Sequence, residues 1–169
     1  MELARRAFLS AQRPRQEKIF RPPWANADRF LEQCTRCDEC IRICPTSLLV
    51  KGSGGFPEAD FTPGQSVEGC NFCGQCVDVC LTHALRKDVD VSPWQQIALI
   101  GDACLAKQNV VCRTCGELCD VGAIRFPPRL GGVSLPQLDA ASCTGCGACL
   151  SDCPTRAIRI HSIAQQGAA

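Results

Sequence analysis

The chain has 169 residues, of which 46% are hydrophobic but only 5% aromatic, and it contains no tyrosine. Its formal net charge of +1 gives no basic field for binding nucleic acid, and no apolar run is long enough to span a bilayer. The low aromatic content argues against a large apolar core, so the sixteen cysteines indicate stabilisation by disulfides or by metal.

The N-terminal segment, residues 1–30, is basic and contains Arg5-Arg6-Ala7-Phe8-Leu9, which is similar to part of a twin-arginine export signal. A signal would continue into an apolar stretch, whereas four of residues 12–18 are charged, namely Arg13, Arg15, Glu17 and Lys18. The sequence therefore predicts a cytoplasmic protein, and in a reducing cytosol this density of cysteine favours metal. Trp24, in the segment Arg21-Pro22-Pro23-Trp24, either docks a partner or packs against the domain that follows.

The cysteines form four groups of four that recur at near-regular intervals, with none left over. The groups are Cys34, Cys37, Cys40, Cys44; Cys70, Cys73, Cys76, Cys80; Cys104, Cys112, Cys115, Cys119; and Cys143, Cys146, Cys149, Cys153. Groups one, two and four have the spacing C-x2-C-x2-C-x3-C of bacterial two-cluster ferredoxins, in which the fourth cysteine binds the other [4Fe–4S] cluster. Group three has C-x7-C-x2-C-x3-C, with a longer first interval.

Three thiolates in one tight loop reach three irons of a cubane, while the fourth corner faces away from the loop. Exchange of the closing cysteines would give the ligand sets Cys34, Cys37, Cys40, Cys80; Cys70, Cys73, Cys76, Cys44; Cys143, Cys146, Cys149, Cys119; and Cys104, Cys112, Cys115, Cys153. The sequence predicts four clusters, with three as the alternative, and the cluster involving Cys104 is the least secure. Zinc is a competing interpretation, but each loop offers more thiolates than tetrahedral zinc needs.

Four clusters on thiolates would bring the net charge to about −7, because each cubane with its four thiolates adds about −2. Such a charge favours a partner with a basic docking surface. Glycines next to the cysteines, Gly74, Gly116, Gly145 and Gly147, are expected to let backbone N–H groups approach cluster sulfur.

The repeat predicts a small α+β fold of two tandem ferredoxin-like halves, with short strands, short helices and a core organised by clusters. The halves are residues 31–90 and 91–162, and residues 163–169 form a tail. A glycine turn and a short strand follow the first and third groups, at residues 54–60 and 131–139.

Further short strands are predicted at residues 41–43, 97–100 and 157–160. Trp94 is expected to pack between the halves, and the two histidines, His83 and His161, are expected on the surface. The sequence contains no nucleotide-binding loop and no catalytic triad, so the prediction is an accessory protein rather than an enzyme.

The sequence resembles the NapF-type ferredoxins, accessory iron–sulfur proteins of periplasmic nitrate reductase systems. The resemblance covers nearly the whole chain and is carried by Arg5-Arg6, Arg21-Pro22-Pro23-Trp24, Cys34-Thr35-Arg36-Cys37, Gly54-Gly55-Phe56-Pro57, Cys70-Asn71-Phe72-Cys73, Gly101-Asp102-Ala103-Cys104-Leu105-Ala106, Pro136-Gln137-Leu138 and Cys143-Thr144-Gly145-Cys146-Gly147-Ala148-Cys149. Leu81 follows Cys80 where many ferredoxin motifs have proline, which removes no ligand.

The resemblance implies a cytoplasmic protein that meets the molybdenum-containing catalytic subunit of nitrate reductase before its export. There it would help to mature the iron–sulfur cluster of that subunit or supply electrons for this step. Members of the family are described with three or four [4Fe–4S] clusters. A general soluble electron carrier for another redox enzyme is the alternative function.

Overall fold

The computed structural model describes residues 19–26, 29–62, 68–88 and 92–163. Its elements are short, as the sequence predicts. The α-helices are α1 (Phe30–Gln33), α2 (Glu39–Arg42), α3 (Gln75–Asp78), α4 (Thr114–Glu117) and α5 (Ala148–Ser151). The strands are β1 (Leu49–Lys51), β2 (Pro57–Ala59), β3 (Gln96–Ile100), β4 (Ile124–Arg125), β5 (Gln137–Leu138) and β6 (Ile158–Ser162). Single 3-10 turns lie at Ser53–Gly55 and Ala106–Gln108.

The first half is built on an antiparallel hairpin of β1 and β2, in which Leu49 lies opposite Ala59. Residues 19–26 pack against this half. Ala25 forms an antiparallel bridge with Leu85, and the Phe20 carbonyl accepts a hydrogen bond of 2.7 Å from the N–H of Ala59. The described part of the N-terminal segment therefore completes the first half, while residues 1–18 lie outside the described residues.

The second half repeats this plan. β4 and β5 form the equivalent antiparallel hairpin, and β3 pairs antiparallel with β6 over five residues, with Ala98 opposite Ile160. In both halves the segment before the first cysteine group thus pairs with the segment after the second group. This pairing closes each half into a unit and brings its two cysteine groups together.

The apolar core is small and is shared with thiols. Phe30, Leu48, Leu85 and Ile158 are each at most 2% exposed, and they pack around the buried cysteines of four helices. The other large apolar side chains buried in this cluster are Leu49, Phe61, Ile124, Leu150 and Ile160. A core of this size gives limited stabilisation, which is the situation in which small domains depend on metal.

The two tryptophans lie where the halves and the N-terminal segment meet. The Trp94 ring contacts Phe61 and Phe72 of the first half at centroid distances of 5.6 and 5.8 Å, and its Nε1–H donates to the Arg21 carbonyl. Because Trp94 leads directly into β3, this contact agrees with the expected packing role. Trp24 packs edge-on against Phe72, with the ammonium of Lys87 over its ring.

Two local predictions are wrong. Residues 41–43 do not form a strand, because Ile41 and Arg42 continue the helical turn α2 and Ile43 ends it. His161 is not a surface residue: it lies half-buried in β6, and its Nδ1 is buried with no hydrogen-bond partner among the described residues. His83 is exposed as expected. In the described residues no helix is long and apolar enough to cross a membrane.

Candidate metal centres

The third cysteine of each group lies on a one-turn helix. Cys40 is in α2, Cys76 in α3, Cys115 in α4 and Cys149 in α5, and all four are buried. Helix α2 packs on α3, and α4 packs on α5. The cysteine spacing therefore produces the same local structure four times, arranged as two pairs.

Site A consists of Cys34, Cys37, Cys40 and Cys80. Burial, together with the charges of the other three members, raises the pKa of the Cys40 thiol to about 12. Cys37 is exposed, whereas Cys34 and Cys80 are half-buried. The fourth member comes from the second group, as exchange of closing cysteines predicts.

Site B consists of Cys70, Cys73, Cys76 and Cys44, which line one cavity together with Pro23 and Trp24. Burial, together with the charges of neighbouring thiolates, raises the pKa of Cys76 to about 12. Trp24 of the N-terminal segment forms part of the wall of this cavity, so it packs beside the thiols.

Site C consists of Cys143, Cys146, Cys149 and Cys119, which also line one cavity. Burial, together with the charges of neighbouring thiolates, raises the pKa of Cys149 to about 12. None of these four side chains is exposed.

Site D consists of Cys104, Cys112, Cys115 and Cys153, which line a further cavity with Phe126 and other apolar residues. Burial raises the pKa of Cys115 to about 11, and the charge of Cys104 is the next largest cause. The structure therefore brings Cys104 to the other three thiols despite the longer interval in group three.

The extra residues of group three fold into a compact turn. Ala106 in the turn Ala106–Gln108 is fully buried, and the Lys107 ammonium donates a hydrogen bond of 2.8 Å to the carbonyl of Ile100 at the end of β3. These contacts fix the turn against the second half, and they leave Cys104 only 8% exposed beside Cys153.

A turn with the same backbone feature follows each closing cysteine. The third residue after each closing cysteine has a positive φ, and these residues are Ser47, His83, Gly122 and Arg156. The turn lets the N–H of Leu85 donate to Sγ of Cys80 at 3.4 Å and that of Ala157 to Sγ of Cys153 at 3.3 Å. Such hydrogen bonds stabilise negative charge on the thiolates.

Threonine hydroxyls form a second class of sulfur contact, which the sequence analysis missed. Thr46, Thr82 and Thr155 lie two residues after closing cysteines, with Oγ1 at 3.6, 3.8 and 4.0 Å from Sγ of Cys44, Cys80 and Cys153. Val121 occupies the matching position after Cys119. The recurrence of threonine two residues after the closing cysteines is the sequence pattern from which these contacts could be predicted.

The predicted role of the four glycines, to let backbone N–H groups approach cluster sulfur, stays a prediction, and their conformations differ. Gly74, Gly145 and Gly147 have positive φ in the cysteine loops. Gly116 has no such conformation, and instead a Cβ there would lie 2.9 Å from the Phe126 ring, so its small size serves packing.

The donor sets fit [4Fe–4S] clusters. All sixteen cysteines are free thiols, and each site offers three from one chain segment and one from the partner group. Within the described ranges, no three Cys, His, Asp or Glu side chains converge as a single metal ion requires. A cubane does not need such convergence, since each thiolate binds a different iron. A bound cluster supplies one-electron redox chemistry.

Similarity to known proteins agrees with this chemistry. Residues 33–85 and residues 110–157 each match a family model described as a 4Fe-4S dicluster domain. The second match begins after Cys104 and includes the other cysteines of groups three and four.

The chain is 39% identical over 159 residues to the ferredoxin-type protein NapF of Escherichia coli (strain K12), covering 94% of each chain. It is 41% identical over 146 residues to NapF of Haemophilus influenzae, covering 86% of this chain and 80% of the relative. It is also 28% identical over 162 residues to the methylamine utilization ferredoxin-type protein MauM of Methylophilus methylotrophus, covering 88% of this chain and 72% of the relative. The chain therefore belongs to the NapF family of ferredoxin-type iron–sulfur proteins, which are electron carriers.

Proposed function

We propose that this protein carries four [4Fe–4S] clusters, one at each of sites A to D, and that all sixteen cysteines are ligands. The observation that carries the proposal is the gathering of the thiols into four sets of four, with Cys104 included in site D. The buried third cysteine of each group lies on a one-turn helix of its own, so this element recurs at all four sites.

The protein acts in the cytoplasm as an accessory factor of the periplasmic nitrate reductase, and it has no catalytic site of its own. Its partner is the molybdenum-containing catalytic subunit before export, to which it supplies electrons or clusters during maturation. Support comes from the similarity to NapF over nearly the full length of both chains. The arrangement of four one-electron centres suits a donor of several electrons.

Cluster content is the first test. Anaerobically purified full-length protein should be brown and should contain about sixteen irons with matching sulfide, because each cubane holds four of each. Its visible absorbance should bleach on reduction. Colourless protein containing zinc would refute the cluster assignment and every function derived from it.

Capture of the catalytic subunit is the second test. The tagged full-length protein should retain the subunit that still carries its export signal and should release the form that lacks it. Deletion of residues 1–18 leaves residues 19–26 in place on the first half and so separates binding from folding. We expect that deletion to keep the iron content and abolish capture, whereas unchanged capture would assign docking to the cysteine-bearing halves.

A general soluble electron carrier is the second candidate. The similarity to MauM favours it, because a protein named for a different metabolic system shares this architecture at 28% identity. An iron-loaded protein that reduces several unrelated acceptors at similar rates and captures no catalytic subunit would support this candidate over the maturation role.

A further inference from the structure

The two halves meet at cysteine residues of different sites. The backbone N–H of Cys70, the first cysteine of site B, donates a hydrogen bond of 2.8 Å to the carbonyl of Cys146 in site C. Site B belongs to the first half and site C to the second half. A ligand-bearing loop of each half is therefore in direct backbone contact with a ligand-bearing loop of the other.

Glycine makes this contact possible. Gly69 has φ +82°, and a Cβ at this position would lie 2.4 Å from the backbone nitrogen of Ala148 and 2.9 Å from the Cys146 carbonyl oxygen. From the other side, a Cβ at Gly147 would lie 2.5 Å from the Phe61 ring. Distances below 3 Å leave no room for a side chain, so the close approach of the two loops depends on Gly69, and the packing of Phe61 on the second half depends on Gly147.

Each half brings its own two sites together through paired helices. Cys40 of site A and Cys76 of site B lie on helices α2 and α3, which pack against each other. Cys115 of site D and Cys149 of site C lie on α4 and α5, which also pack against each other. Site A is therefore adjacent to site B, and site C is adjacent to site D.

We propose that the four sites form one continuous row in the order A, B, C, D, with the contact between Cys70 and Cys146 as the junction of the halves. The order along the row differs from the order of the cysteine groups in the sequence. The proposal rests on the assignment of a cluster to each site. With clusters bound at B and C, transfer of one electron from B to C would oxidise the cluster at B and reduce the cluster at C by one electron each, with no bond made or broken.

The test isolates the two sites at the junction. The variant C34A/C37A/C104A/C112A removes two ligands each from sites A and D, so it should keep B and C and about half of the iron. Its EPR spectrum after full reduction should show splitting from interaction between the two remaining clusters. The matched variant C70A/C73A/C143A/C146A keeps A and D and should give the simple sum of two isolated signals. Isolated signals from B and C at half loading would overturn the row.

A second comparison keeps every ligand in place. Gly69→Ala should retain the iron content and lose the part of the splitting that arises between the halves, because the junction must open to admit the methyl group. Gly131→Ala is the matched control, since Gly131 has a similar φ of +69° but nothing within 4 Å of the added Cβ. Identical splitting in both variants would refute the junction even where the multiple variants do not load. Absence of iron from the unaltered chain would instead refute the cluster assignment.

Discussion

The hydroxyl of Thr46 is expected to raise the reduction potential of a cluster at site B through its hydrogen bond to one thiolate, that of Cys44. Burial opposes ionisation of Cys44, but hydrogen bonds from the Leu49 backbone and from the Thr46 hydroxyl lower its pKa below the ordinary value. The two side-chain atoms, Oγ1 and Sγ, lie 3.6 Å apart. Because a thiolate can only accept, the hydroxyl is the donor, and Thr46→Val removes that donor while keeping the side-chain shape.

The size of the effect follows from the energy of one hydrogen bond. A typical bond contributes about 0.5–1.5 kcal/mol net. Reduction adds negative charge to the site, so the bond favours the reduced state and its loss lowers the reduction potential. Taking the whole contribution as the difference between the redox states, the potential of site B falls by about 20–65 mV, since 59 mV corresponds to a tenfold change for a one-electron couple.

A potentiometric titration followed by EPR measures this shift in the full-length protein. Thr35→Val is the control, because Thr35 lies between two site A cysteines, and the described part of the chain gives its hydroxyl no hydrogen bond to sulfur. The control should leave all potentials unchanged. An unchanged or higher potential for site B in Thr46→Val, at full iron content, would refute the argument.

Four other outcomes are expected. Val121→Thr should add a hydroxyl near Cys119 and raise the potential of site C, measured by the same titration. Cys104→Ala should lower the iron content by about four atoms per chain, while Val111→Ala, at an exposed position in the same interval, leaves it unchanged; full iron in the cysteine variant would remove Cys104 from the ligands. Removal of iron by a chelator should abolish cooperative unfolding followed by circular dichroism, because the apolar core is small. Reconstitution of the metal-free protein with iron and sulfide should be more complete at higher pH. Burial raises the pKa of thiols such as Cys76 to about 12, and cluster binding must displace their protons. Iron loading that does not depend on pH would contradict this prediction.

Most of the fold can be predicted from the cysteine spacing. It predicts two halves of short elements, and the structure has them. The strands at β3 and β6 follow from apolar runs, but their pairing does not, because it joins residues some sixty positions apart and depends on the whole half being closed. The strand prediction at residues 41–43 is wrong because it follows the β propensity of Ile41 and Ile43, whereas the cysteine-bearing loop places Ile41 in the one-turn helix α2, which ends before Ile43.

The sequence predicts which cysteines belong to each site, but it predicts less of the residues that surround them. The four sets of thiols follow from one rule, the exchange of closing cysteines. The burial of Cys104 does not follow from this rule, because the rule does not predict how the extra residues of group three pack on β3. The threonine contacts could have been found from sequence, because the residue recurs at one position, whereas the close approach at Gly69 is a property of the assembled halves.

The surroundings of the four sites are unequal, and the inequality has an electrostatic consequence. Sites A and B each include an exposed thiol, at Cys37 and Cys73, and solvent exposure is one of the factors that set cluster potentials. Site D is more buried, but hydroxyls contact two of its thiols, at Cys112 and Cys153. Site C has no exposed thiol, and Val121 takes the place of the threonine. Added negative charge is therefore least stabilised at site C, so reduction should be hardest in the interior of the row, and an electron there should move readily to either neighbour.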